Sequence, residues 1–289
     1  MPLRQFRFGV SLFTGVSRGG WQNRARRAEE LGYDVVLAPD HLGMPAPFPL
    51  LAAAAMVTSR VRLGTYVLNA GFHRAALLAR EVASVDQLVG GRLELGLGAG
   101  YAQHEYEAAG LPFPGAGERL DHLAGTVTEL RRLLGDDDHV PVPVQRPTPP
   151  IMVAGQGDRL LRIAAQHADI VGIAGALPRD GGDTGHAALA DKIALVRDAA
   201  GGRWPDLELN LLVQTVLSDT DRQPDLSFLR GFAPGLTDDQ ILALPGVLRG
   251  SAAAIADTLR GYRETYGLTY FTVTERSMAA FAPVIARLR

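Results

Sequence analysis

Short apolar runs alternate with longer amphipathic stretches along the whole chain. Eight runs read as strands: Phe8–Phe13, Val35–Ala38, Val61–Leu68, Leu93–Leu97, Ile151–Ala154, Ile170–Ile173, Leu207–Leu217 and Tyr270–Thr274. Most are continuously apolar, the pattern of parallel strands covered on both faces. The stretches between them have a helical period. "WQNRARRAEELG" sets Ala25, Ala28 and Leu31 on one face with charges elsewhere, and Gly32 stands where a C-terminal cap belongs. "LLAREVASVDQLVGG" repeats the pattern and ends at Gly90 and Gly91. "AGERLDHLAGTVTELRRLLG", "DRLLRIAAQHA", "AALADKIALVRDAAGG", "SAAAIADTLRGYRETYG" and "MAAFAPVIARLR" follow, with Ser251 as a natural N-cap. Eight strand–helix alternations at this length predict an α/β chain folded as a (β/α)8 TIM barrel, one domain over residues 1–289. An open doubly wound sheet has the same local pattern, and periodicity does not separate the two.

Two stretches break the rhythm. "GDDDHVPVPVQRPTPP", Gly135 to Pro150, is acidic and then proline-rich; before the fifth strand it reads as a rigid connector at the non-catalytic end of a barrel. Ser218 to Gly250, after the seventh strand, holds "SDTDRQPD" and the helix-like "TDDQILAL". An excursion of that length at the catalytic end reads as a lid-like insertion.

Composition narrows the chemistry. The 289 residues are 47% hydrophobic and 21% charged, with a net charge of -2 and no cysteine. Disulfides, thiolate catalysis, zinc–thiolate sites and iron–sulfur clusters are excluded. The charge balance leaves no footprint for nucleic acid. No run approaches ~18 apolar residues, so no membrane-spanning helix is expected. "MPLRQFRFGVSLF" lacks the parts of a signal peptide, which makes a cytoplasmic location the expectation.

In a barrel the chemistry collects where strands end. The second strand ends in Asp40 and His41, and the third in "LNAGFHR", with Asn69, Gly71, His73 and Arg74. The fourth ends in "GLGAGYAQHEYEAAG", with Gly96, Gly98, Gly100, Tyr101, His104 and Glu105. The fifth ends in "AGQGDR", with Gly155, Gln156, Gly157, Asp158 and Arg159; the eighth ends in Glu275 and Arg276. "GLGAGY" is not a dinucleotide fingerprint, because its glycine spacing is wrong and no acid follows ~20 residues on. "AGQGDR" reads equally as a phosphate-cradling loop and as a tight turn with a capping Asp. His41, His73 and His104 lack metal-ligand spacing, so no metal is expected. No G-x-S-x-G elbow is present.

The ordered set of segments resembles the luciferase-like monooxygenase superfamily of flavin and deazaflavin enzymes, and within it the branch of hydride transferases that use coenzyme F420. "RRAEELGYDVVLAPDH", "RLGTYVLNAGFHRAALLAREVASVDQLVGGRLELGLGAGYAQHEYEAAGLPF", "PTPPIMVAGQGDRLLRIAAQHADIVGI" and "LRGSAAAIADTLRGYRETYGLTYFTV" carry it. The resemblance implies a barrel with the ring of the cofactor at the strand C-termini. Asp40 and His41 would lie beside that ring. A non-prolyl cis peptide that bulges against the ring would involve Leu68, Asn69 or Ala70. Gly98, Gly100 and Tyr101 would line the cofactor, and Gly155, Gln156 and Gly157 would hold its phosphate. Arg18, Arg74, Arg159 and Arg179 are available to follow its anionic tail. Sugar-phosphate dehydrogenases of this branch place a glutamate where this chain has Tyr101. Their substrate is therefore not carried over, and His41, Tyr101 and His104 remain as proton handlers. Asp40 reads either as a partner of His41 or as a cap, and Glu105 as a helix residue free to face solvent.

The implied reaction is hydride transfer between the deazaflavin carbon C5 and a C=C, C=N or C=O bond of a small molecule or peptide. A monooxygenase dependent on reduced FMN is the alternative, and a non-catalytic flavin- or partner-binding barrel is the third reading. Relatives point to a homodimer.

Overall fold

The computed structural model describes residues 4–13, 17, 19–174, 185–218, 226–232 and 235–289. Eight parallel strands close on themselves: β1 (Arg7–Ser11), β2 (Val35–Ala38), β3 (Arg62–Thr65), β4 (Leu93–Gly98), β5 (Ile151–Gly155), β6 (Ile170–Ile173), β7 (Glu208–Val213) and β8 (Leu268–Thr274). Each pairs with the next. β8 returns to β1, with Arg7 opposite Tyr270 and Ser11 opposite Thr274. An open sheet leaves two edge strands, whereas this ring leaves none, so the (β/α)8 barrel is the fold.

Both faces of the strands are apolar, yet their side chains still alternate. In β2, Val36 and Ala38 join the main core under the helices. Val35 and Leu37 join a separate interior cluster with Met152, Ala154, Ile170 and Tyr270, against which Tyr66 and Val67 pack. Space inside is short: a Cβ at Gly172 would fall 2.4 Å from the Ala154 Cβ.

Charged groups close the end where the strands begin. Arg7 bridges Glu94 and Glu208, and the Arg62 Nε donates to Glu94 at 2.6 Å. Arg62 also donates to the Gln145 Oε1 at 2.7 Å, and Gln145 donates twice to the Asp86 carboxylate. The proline-rich connector is thus tied beneath the barrel. Burial and the Glu94 charge push the Glu208 carboxyl up from its ordinary range, against the pull of Arg7.

Two expected strands are shorter than their apolar runs. The run Val61–Leu68 splits. β3 stops at Thr65, and Leu68–Asn69 forms a second short strand on β4, with Leu68 opposite Leu97. The run Leu207–Leu217 splits at Gln214, whose N–H donates to the Gly246 carbonyl at 2.8 Å. Thr215–Leu217 then leaves the barrel and pairs with Val247–Arg249. These strands and the helices Ser227–Phe232 and Asp238–Leu242 form the insertion. Leu226, Leu229, Ile241, Leu244 and Val247 give it a small apolar cluster of its own. Residues 219–225 and 233–234 of the expected lid lie outside the described residues. Among the described residues, no helix is long and apolar enough to cross a membrane.

Candidate active site

His41 follows β2, and its Nδ1 lies 2.7 Å from the Glu105 Oε1. Glu105 is 5% exposed, in the first turn of the helix Gln103–Ala108. The roll of that helix is set by its neighbour Tyr106, whose ring packs against Phe72 and Phe113, each at 5.1 Å between centroids. With Tyr106 turned inward, Glu105 turns inward beside it and His104 is left exposed. This corrects the reading of Glu105 as a solvent-facing residue. It also leaves His104, an expected proton handler, without a partner in the His41 pair.

Asp40 does not pair with His41. The Asp40 Oδ2 accepts from the Asn69 N–H at 3.0 Å and lies 3.9 Å from the His73 Nε2. Asp40 is therefore a clasp between the β2 and β3 ends. Asn69 extends the clasp, because its Oδ1 accepts from the Gly71 N–H and the Tyr106 hydroxyl, each at 3.0 Å. Gly100 closes over Asn69 with φ +70°; a Cβ there would sit 2.2 Å from the Asn69 Oδ1.

The non-prolyl cis bond joins Tyr66 and Val67, not Leu68, Asn69 or Ala70. Leu68 and Ala70 pack into the main core instead. The glycines of β4 explain the placement. A Cβ at Gly96 would approach the Thr65 carbonyl to 2.2 Å, and one at Gly98 would approach the Val67 Cγ2 to 2.8 Å. Gly96 and Gly98 thus make room for the neighbouring chain. The Tyr66 hydroxyl donates to the Asn210 Oδ1 at 3.1 Å, and the Asn210 Nδ2 donates to the Thr272 Oγ1 at 2.8 Å.

In the loop after β5, Gly155 is constrained by Leu160, whose Cδ1 a Cβ would meet at 2.7 Å. The Gln156 side chain donates to the Ala174 carbonyl at 3.0 Å, and the Gln156 backbone carbonyl accepts from the Lys192 Nζ at 2.7 Å. Gly157 is the N-cap of the ten-residue helix Asp158–His167 and makes no side-chain cap; a Cβ there would meet nothing within 4 Å. Asp158 opens the first turn rather than capping it. Arg159 pairs with Asp121. Arg74 is exposed, and Arg18 and Arg179 lie outside the described residues.

Aromatic and apolar side chains stand beside His41. Tyr101 is 74% exposed and meets the imidazole edge-on at 6.0 Å. Partial desolvation and the Glu105 carboxylate push its phenol up, so it stays neutral. Leu42 and Met44 are exposed beside it. A hollow next to them is lined by Leu12, Phe13, Trp21, Pro39, Met44, Pro45 and Leu50. His41, His73 and His104 do not converge, and no group of three His, Asp or Glu among the described residues could hold a metal ion. Sequence reasoning passed over Tyr66, Val67 and Tyr106. They are apolar or aromatic residues inside ordinary runs, and nothing local distinguishes them from core.

The sequence model of luciferase-like monooxygenases matches residues 6–224. The chain belongs to the luciferase-like monooxygenase family. Within it the chain is 36% identical over 166 residues to an F420-dependent glucose-6-phosphate dehydrogenase of Intrasporangium calvum, covering 50% of each chain. It is 31% identical over 159 residues to the oxygenase component of a flavin-dependent trigonelline monooxygenase of Acinetobacter baylyi, covering 48% of this chain and 44% of that one. The chain spans about half the length of these curated relatives. A solved F420-dependent secondary alcohol dehydrogenase in complex with an F420–acetone adduct superposes with a TM-score of 0.75 at 18% identity, covering 99% of this chain and 100% of that one. That likeness is one of fold.

Proposed function

We propose that the protein is an oxidoreductase that uses coenzyme F420 to move a hydride to or from a neutral small molecule, reducing a C=C, C=N or C=O bond or running the reverse. The His41–Glu105 pair at the open end of the barrel carries the reading. One imidazole nitrogen is held by a buried carboxylate, and the other has no protein partner among the described residues. Hydride transfer to a polar double bond has to be matched by a proton, and an imidazole supplies or takes one near neutral pH. F420-dependent relatives in sequence support the cofactor.

The residues present fit such a cofactor. Gly157 leaves open space at a helix start, where backbone N–H groups and the helix dipole favour a phosphate, and Lys192 adds a positive charge beside the loop. A bound deazaflavin supplies the hydride-carrying carbon. The Asp40–Asn69–Tyr106 clasp keeps the ends of β2, β3 and β4 in register around His41. Leu42, Met44 and Tyr101 offer no charge to a substrate, which favours a neutral, partly apolar one over a phosphorylated sugar.

Titrating the purified protein with F420 and with FMN tests the cofactor. Saturable quenching of F420 fluorescence is expected. Tight FMN binding without any F420 response would overturn the proposal in favour of the flavin monooxygenase reading, which the trigonelline monooxygenase relative represents. A screen of neutral acceptors with reduced F420, read by the return of its absorbance, then supplies a substrate. His41→Ala is expected to keep F420 binding and lose turnover by about 100-fold or more. Full turnover in that variant removes His41 from the reaction.

A further inference from the structure

We propose that Glu105 is a positioning residue that holds His41 in the tautomer with its proton on Nδ1, leaving Nε2 as the atom that exchanges a proton at the barrel mouth. The two atoms are 2.7 Å apart, a charge-assisted contact. An ionised carboxylate only accepts, so Nδ1 must donate. The Glu105 backbone is held by the inward lock of Tyr106 on Asn69, Phe72 and Phe113. The acid next to His41 in sequence, Asp40, is spent on the Asn69 N–H and does not compete. No other protein group among the described residues bonds to the ring nitrogens, and Tyr101 meets the ring only by its edge.

The task of the proton rests on the oxidoreductase reading; the tautomer does not. In reduction, an imidazolium gives its Nε2 proton to the substrate atom that gains the electron pair as hydride adds to the neighbouring carbon of the double bond. The neutral Nδ1–H imidazole is left on Glu105. In oxidation, the Nε2 lone pair would take the hydroxyl or amine proton as the substrate carbon gives up its hydride, for which a bound deazaflavin would be the acceptor. One hydride and one proton balance the two-electron change either way. A buried carboxylate that orients the imidazole acts as does the acid of a hydrolytic triad, through the His rather than on the substrate.

Nitrogen-15 labelling of the histidines in the full chain, read by long-range proton–nitrogen correlation above the imidazole titration range, tests the assignment. His41 is expected to show a protonated Nδ1 and a bare Nε2. Glu105→Gln places there an amide that can both donate and accept, so a mixture of tautomers is expected; Glu105→Asp keeps the charge and is expected to keep the Nδ1–H form. F420 affinity, measured by fluorescence, is expected to stay within about twofold in both variants, while kcat of Glu105→Gln falls at least about tenfold with KM little changed. A proton on Nε2 in the unaltered protein overturns the proposal, as does an unchanged Nδ1–H tautomer in Glu105→Gln. The unaltered spectrum and Glu105→Asp decide the matter even where Glu105→Gln fails to fold. Failure of the F420 titration with the Nδ1–H tautomer intact would sink the cofactor and leave the positioning role standing.

Discussion

At Gly100 two constraints meet on one atom. Its φ of +70° is a conformation that a Cβ disfavours, and that Cβ would sit 2.2 Å from the Asn69 Oδ1. Gly100→Ala is expected to cost about 2–4 kcal/mol, read as a lower urea midpoint, because the backbone strain adds to displacement of a side chain that holds two hydrogen bonds. Release of Asn69 also frees the Tyr106 hydroxyl. At this scale the sequence was partly legible. His41, Asp40, Asn69 and Gly100 were all singled out by their place after strands, whereas the pairing of His41 with Glu105 over a separation of 64 residues was not. Neighbourhood in sequence pointed to Asp40 instead, whose carboxylate is taken by the Asn69 N–H.

Elements obey a different logic, shown by the seventh strand. Leu207–Leu217 is one apolar run, yet β7 ends at Val213, and Thr215–Leu217 belongs to the insertion. An apolar run reports burial and not the partner, so a strand that leaves one sheet for another keeps the same pattern. The insertion has a separate apolar cluster, in which Ile241 is 0% exposed. Ile241→Ala is expected to cost about 2–4 kcal/mol locally. Amide exchange should then rise across 215–217 and 247–249 while the barrel strands stay protected. An equal rise throughout the barrel would show that the insertion opens only with the whole molecule. The helix starts were easier to read: Ser251 caps its helix by accepting from the Ala254 N–H at 3.2 Å, a contact between residues three apart.

The whole molecule keeps stability and chemistry at opposite ends. Arg7, Arg62, Glu94 and Glu208 close the strand starts, while His41, Glu105 and the Gly157 loop stand at the strand ends. Arg7→Ala leaves the buried Glu94 with Arg62 alone and takes its ion-pair partner from the part-buried Glu208. It is expected to cost about 3–5 kcal/mol in denaturant melts. F420 affinity is expected to remain within about twofold of the unaltered protein under conditions where the variant is folded. A matching loss of affinity would mean that the two ends are coupled through the barrel interior.

By itself the sequence determined the order of strands and helices, the α/β class and the addresses where chemistry gathers. Hydrophobic period, caps and turn glycines act over a few residues and so are written locally. Ring closure was decided only by tertiary structure, because β1 and β8 are 257 residues apart or more and no local pattern records their pairing. The same holds for the cis bond at Tyr66–Val67, beside which Gly96 and Gly98 leave room across the sheet. It holds for Glu105 as well, whose burial against His41 follows from how its neighbour Tyr106 packs on Asn69 and Phe72 at the end of another strand.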